Sequence, residues 1–151
     1  MIMFKRILVV CTGNICRSPM GAALLKHDCD SIEIVSAGLH ALEGRGADPR
    51  AIELMAERGI DIGSHVARQL TREVAANSDL ILVMEVAQKR EIELRFPEAR
   101  GRVFRFVESR AIDVPDPYRK SKPHFSAALD LMVDGAADWV ARLGVPAVTR
   151  K

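Results

Sequence analysis

The sequence predicts a three-layer α/β domain: a doubly wound, four-stranded parallel sheet with helices on both faces. Three observations carry this. Short β-branched runs alternate with helical patterns along the whole chain. Two of the runs, Ile7-Leu8-Val9-Val10 and Leu80 to Met84, are apolar without alternation, as strands buried on both faces require. No repeat, low-complexity tract or linker divides the 151 residues, so residues 1–151 are expected to form one domain.

Phe4 to Val10 reads as the first buried strand. Ser18 is the expected N-cap of the first helix, with Pro19 at its first position and an end near His27. Ser31 to Ser36, with Ile32, Ile34 and Val35, reads as the second strand. A Gly-rich loop from Gly38 to Gly46 follows, and Asp48-Pro49 repeats the cap-and-proline signal. That helix carries Ile52, Met55 and Ala56 on one face and stops at Gly59. Thr71 is the expected cap of a short helix before the third strand, Leu80 to Met84. Residues 85–96 read as a weakly amphipathic helix ended by Pro97, and Arg102 to Val107 as the fourth strand. After a charged loop from Glu108 to Pro123, one stripe (Phe125, Leu129, Met132, Ala136, Trp139, Val140, Leu143) marks a long helix closed by Gly144 and Pro146.

A net charge of +2 with no Lys/Arg block gives no argument for nucleic-acid binding. The apolar run before Cys11 is too short for a signal segment or a membrane span, so a cytoplasmic chain without membrane insertion is expected. Three cysteines (Cys11, Cys16, Cys29) make no disulfide framework and suit a reducing compartment.

The chemistry concentrates in Cys11-Thr12-Gly13-Asn14-Ile15-Cys16-Arg17-Ser18-Pro19, placed where a buried strand turns into a helix. Ligands of parallel sheets bind beyond such strand ends. A thiolate is the reactive form of cysteine, and an ordinary cysteine is mostly protonated at neutral pH. Here the amides of Thr12 to Arg17, the positive end of the helix, the Arg17 charge and the Ser18 hydroxyl would all favour the thiolate. The same donors can hold a phosphoryl group over Cys11, with Arg17 pairing bidentately to two oxygens. Gly13 and Asn14 tolerate the left-handed backbone that such a loop needs. A Walker loop is excluded by the missing Gly-Lys-Ser/Thr, and a thioredoxin site by four rather than two residues between Cys11 and Cys16. A zinc site using Cys11 and Cys16 lacks a second ligand pair at suitable spacing, and no cofactor is expected. Phosphoryl transfer from an ester also needs an acid for the leaving oxygen. Asp116, held between Pro115 and Pro117, is the candidate; Asp113 is its competitor.

These motifs, with Ser36-Ala37-Gly38, Asp48-Pro49 and Asp116-Pro117-Tyr118, resemble the low-molecular-weight protein tyrosine phosphatases over essentially the whole length. The resemblance implies a four-stranded parallel sheet, no metal, and a phosphocysteine on Cys11 with Arg17 as clamp and Asp116 as acid, then base. It implies a buttress of Asn14, Ser18, Ser36 and His65 behind the loop, and Glu85 as acidic partner of the arginine. Cys16 resembles a second loop cysteine that pairs reversibly with the nucleophile under oxidation, its alternative being a small packing residue. Tyr118 would form one pocket wall, and Leu39 and His40, in Leu39-His40-Ala41-Leu42, the other. Many relatives carry a second aromatic where this chain has Arg119-Lys120. Within the family the chain looks most like a bacterial branch tied to capsule and exopolysaccharide synthesis. Its members act on the tyrosine-rich tail of a membrane-bound tyrosine autokinase, and the chain is expected to do so as a monomer. Arg45, Arg119, Lys120 and Lys122 would then flank the pocket and attract that tail, or else be solvated surface charge. An arsenate reductase on this fold would need relay cysteines, and none follows Cys29. A non-catalytic phosphate- or phosphotyrosine-binding module would be expected to lose Cys11 or Asp116, and both are present.

Overall fold

A computed structural model describes residues 4–144. Strands β1 (Arg6–Cys11), β2 (Glu33–Gly38), β3 (Leu80–Val83) and β4 (Val103–Arg105) form one parallel sheet in the order β2-β1-β3-β4. Helices α1 (Arg17–Asp28), α2 (Pro49–Glu57) and α5 (Lys122–Leu143) pack on one face, and α3 (Arg72–Ala76) and α4 (Val86–Arg95) on the other. The three-layer, doubly wound arrangement is the expected one.

The continuous apolar strands follow from having helices on both sides. In β1, Ile7, Val9 and Cys11 enter the core under α1 and α5, while Leu8 and Val10 enter the core under α3 and α4. In β3, Leu80 and Leu82 face the first core and Ile81 and Val83 the second. Side chains alternate with period two, so both faces demand apolar residues and the run has no polar gap. The chain leaves β1 for β2 on one side and reaches β3 on the other. That reversal opens a crevice at the carboxyl end of β1.

Several boundaries differ from the sequence expectation. Cys11 is itself a strand residue, in register with Gly38 of β2. β4 is three residues long, because Phe106 and Val107 turn into the core as a bend rather than continuing the ladder. Short 3-10 turns at 97–99 and 108–110 lie on either side of β4. The expected caps at Asp48 and Thr71 are made: Asp48 Oδ1 accepts from Arg50 N at 2.9 Å and Thr71 Oγ1 from Val74 N at 3.2 Å. The expected cap at Ser18 is not made. α1 begins at Arg17 with Cys16 as N-cap and no side-chain cap, and Ser18 lies inside the helix, where its hydroxyl serves the loop instead. The α5 stripe is buried from Phe125 to Trp139, and Gly144 ends the helix at φ 67°; Pro146 lies outside the described residues.

Candidate active site

Five residues, Thr12 to Cys16, separate Cys11 at the end of β1 from Arg17 at the start of α1, and the carbonyls along this stretch decide the loop's use. Cys11 O accepts from Leu39 N, Thr12 O from His40 N, Gly13 O from Leu42 N and Ile15 O from Asp48 N, at 2.8–3.0 Å. His65 Nε2 donates to Asn14 O at 2.7 Å. Every carbonyl from 11 to 15 is therefore turned outward. A planar trans peptide points its C=O and the following N–H in opposite directions, so the amides of residues 12–16 converge on the inner side. The uncapped first turn of α1 adds its own free donors there. The result is an anion nest built from backbone.

One residue with unusual backbone makes this curl possible. Asn14 sits at φ 60°, a region that asparagine tolerates better than most side chains. Gly13 does not share it, and a Cβ there would meet Leu42 at an ordinary 3.7 Å, so the expectation of left-handed backbone holds for Asn14 alone. The fully buried Asn14 side chain ties the loop to three neighbours. Its Nδ2 donates to Ser18 Oγ at 2.7 Å and Ser36 Oγ at 3.1 Å, and its Oδ1 accepts from Arg68 N at 2.9 Å. Ser18 Oγ lies 2.9 Å from Cys11 Sγ. Since Asn14 already fills an acceptor position on Ser18, the hydroxyl proton is free to point at the sulfur.

Arg17 is 1% exposed. Its Nη1 donates to Val114 O at 2.8 Å and lies 3.3 Å from Glu85 Oε2, and its Nη2 lies 3.7 Å from Asp116 Oδ2. A buried guanidinium needs compensating charge, and Glu85 supplies it from the end of β3. Asp116, which is half exposed, is fixed by Tyr118 N donating to its Oδ1 at 3.0 Å. Asp113 is engaged elsewhere: Val86 N and Arg105 Nη1 both donate to its Oδ1. Cys11, Thr12, Gly13, Ile15, Cys16, Arg17, His40, Leu42, Asp116 and Tyr118 line a single pocket. Among the described residues, no three His, Cys, Asp or Glu side chains gather as a metal ligand set would require.

Two environments perturb titration. Burial lowers the His65 pKa below the ordinary histidine value, with nearby Lys26 adding to the shift and the bond to Asn14 opposing it. The bond requires a proton on Nε2, which the neutral ring carries in its Nε2–H tautomer. Burial pushes the Cys16 thiol far up, reinforced by Asp48, Cys11 and Asp116 and opposed by Arg17. Cys16 is thus a protonated thiol in the pocket wall.

The structure brings Cys11, Arg17, Asp116, the 12–18 loop, Ser36, His65, Glu85, His40 and Tyr118 together, but not Leu39. Leu39 is 2% exposed and packs in the core under α3 and α4, because the chain leaving β2 still alternates. Leu42, three residues on, takes the wall position instead. Sequence reasoning also missed two supports. A Cβ on Gly38 would lie 2.6 Å from Thr12 O, so only glycine lets β2 pass this close. Buried Gln88 accepts from Met84 N and Glu85 N and donates through Nε2 to Thr12 Oγ1 at 3.2 Å. The Glu85-x-x-Gln88 spacing, a capping-box pattern, was its available signal.

After Tyr118 the chain turns sharply, with Lys120 N donating to Pro117 O at 2.9 Å. Arg119 takes the left-handed position of that turn at φ 63°, which costs a branched or long side chain about 1–2 kcal/mol relative to glycine.

A family model described as low molecular weight phosphotyrosine protein phosphatase matches residues 6–147. The probable low molecular weight protein-tyrosine-phosphatase EpsP of Ralstonia nicotianae is 50% identical over 141 residues, 93% of this chain and 97% of that protein. The Wzb phosphatase of Escherichia coli is 45% identical, over 97% of this chain and 100% of its own. The structure of Vibrio vulnificus Wzb in complex with benzylphosphonate superposes with a TM-score of 0.89 at 40% identity, covering 92% of this chain and 99% of that one. Sequence and fold agree over nearly the full length of these relatives, and the chain belongs to the low molecular weight phosphotyrosine protein phosphatase family.

Proposed function

We propose that this phosphatase hydrolyses phosphotyrosine in proteins through a phosphocysteine. The phosphate dianion enters the amide nest of residues 12–18, with Arg17 paired to two of its oxygens. Cys11 Sγ attacks phosphorus; the S–P bond forms as the P–O bond to the tyrosine breaks. Asp116 gives its proton to the departing phenolic oxygen. In the second step the Asp116 carboxylate takes a proton from water, whose oxygen attacks phosphorus. The S–P bond breaks, inorganic phosphate leaves, and the Cys11 thiolate returns to the Ser18 hydroxyl. Asn14, Ser18, Ser36 and His65 hold the loop, and Glu85 holds Arg17. Tyr118 and His40 flank the substrate ring. One observation carries this reading: a thiol, a buried guanidinium, a half-exposed carboxylate and an aromatic ring line the same pocket.

The substrate we assign is the tail of a membrane-bound bacterial tyrosine autokinase controlling capsule or exopolysaccharide synthesis, met in the cytoplasm. Similarity to EpsP and Wzb supports that choice. Under peroxide we assign Cys16 as the thiol that condenses with a Cys11 sulfenic acid, releasing water and forming a disulfide.

The test is turnover of p-nitrophenyl phosphate by the wild type and Cys11→Ser, with mass spectrometry of the quenched enzyme. Turnover by the wild type, none by the variant, and a phosphate adduct on the Cys11 peptide are expected. A wild type that binds phosphotyrosine peptide without turning over any ester would make the chain a binding module.

A further inference from the structure

Resting on the phosphatase reading, we propose that Arg119 is a substrate-reading residue. It forms an anion subsite at the pocket rim for a negatively charged side chain next to the phosphotyrosine. Three observations converge on it. First, its backbone is left-handed, at a turn position where glycine or asparagine is the unstrained choice. Residues held in such a conformation cluster at functional sites. Second, its guanidinium lies 5.3 Å from the centroid of the Tyr118 ring, which lines the pocket, so the charge is parked over the pocket wall. Third, among the described residues no carboxylate lies within 4.0 Å of it, whereas Arg6, Arg72, Arg95, Arg105 and Lys122 each meet one.

The contrast with its neighbours sharpens the assignment. Lys122 is bound to Glu53 and Glu57, at 2.8 and 3.2 Å, and ties α5 to α2. It is therefore removed from the set of free rim cations that the sequence suggested. On the opposite wall His40 Nε2 meets Glu91 Oε2 at 3.0 Å, and Arg95 joins the same carboxylate at 2.7 Å. That wall is already neutralised. Arg119 is the exposed charge that stacks on a pocket-lining side chain and has no internal counter-ion among the described residues. A guanidinium in that place pairs with a carboxylate or a phosphate monoester equally well. The shared chemistry is an anion one or two residues from the phosphotyrosine.

The experiment compares kcat/KM for three phosphotyrosine peptides that differ only in their flanking residues: glutamate, phosphoserine or alanine. The wild type is expected to prefer each anionic peptide over the alanine peptide by about two- to fivefold at low salt, the range of an exposed ion pair, and less at high salt. Arg119→Gly should bring both ratios close to one, and Arg119→Lys should retain most of the preference. The larger of the two wild-type ratios identifies carboxylate or phosphate as the preferred neighbour. The melting temperature of Arg119→Gly should hold or rise, since glycine relaxes the turn. Unchanged ratios in Arg119→Gly, no preference in the wild type, or a fall of several degrees in its melting temperature would each overturn the assignment. Binding of the same peptides to Cys11→Ser gives the ratios without chemistry, so loss of the phosphatase reading would not be mistaken for loss of this one.

Discussion

Asp113 and Asp116 lie three residues apart in one loop and carry the same charge, but their partners differ. Asp113 is spent on Val86 N and Arg105, whereas Asp116 stands in the pocket beside Arg17. Asp116→Asn should lower kcat on aryl phosphates by about 10²–10⁴-fold, the usual loss of a general acid. Asp113→Asn should stay within a few-fold of the wild type in steady-state turnover. Equal losses would mean that the acid is shared or misassigned. His65 offers a pH test of the buttress. Its folded pKa lies below the unfolded value of 6.5. Between those two values the unfolded chain binds the extra proton, so stability is complete above about 6.5 and is lost as pH falls through the folded pKa. Urea midpoints measured from pH 7.5 down to 5 should fall further for the wild type than for His65→Gln, which keeps an amide donor for Asn14 O but cannot titrate. Parallel curves would remove His65 from the acid-sensitive groups.

At the scale of elements, β2 and the first turn of α1 are shaped by the loop of residues 12–16 that leads from β1 into α1. Gly38 closes β2 against Thr12 O, and α1 gives up a side-chain cap so that its first amides stay free. Gly38→Ala forces a Cβ to 2.6 Å from a backbone oxygen that cannot swing away. It should cost about 1–3 kcal/mol, the scale of overpacking, and should lower kcat through displacement of the loop. Denaturant midpoints and p-nitrophenyl phosphate kinetics on the same preparation would check both. A stable variant with full activity would show that β2 can retreat without moving the loop.

Across the whole molecule, α5 locks the end of the sheet to the site. Gly135 lies where a Cβ would come within 2.5 Å of Phe106 O, and Trp139 Nε1 donates to that same oxygen at 3.0 Å. Phe106 follows β4, and the chain beyond it carries Val114 and Asp116 to Arg17. Intrinsic propensity favours alanine over glycine inside a helix by about 1 kcal/mol. Packing predicts the opposite sign here. Gly135→Ala should lower the melting temperature, whereas a rise would mean that α5 stands further from β4 than this structure has it.

How much of this was legible in the chain follows from how local each cause is. Strand runs, the Asp48 and Thr71 caps and the α5 stripe rest on spacing within a few residues, so they could be read from sequence with small errors at their ends. The Cys11-to-Ser18 loop could be read as well, because its residue types and order are themselves the chemistry. Other features depend on residues distant in sequence meeting in space. Ser18 looked like a cap, but Asn14 and Cys11 claim its hydroxyl. Leu39 looked like a wall, but strand alternation buries it and hands the place to Leu42. The partners that occupy Asp113, the closeness required at Gly38 and the lack of a counter-ion for Arg119 among the described residues exist only once β1, β2, β3 and the 113–120 loop are side by side. Sequence determined which groups could do the chemistry; the tertiary structure decided which of them face the same pocket, since burial and partner distance are properties of the packed chain.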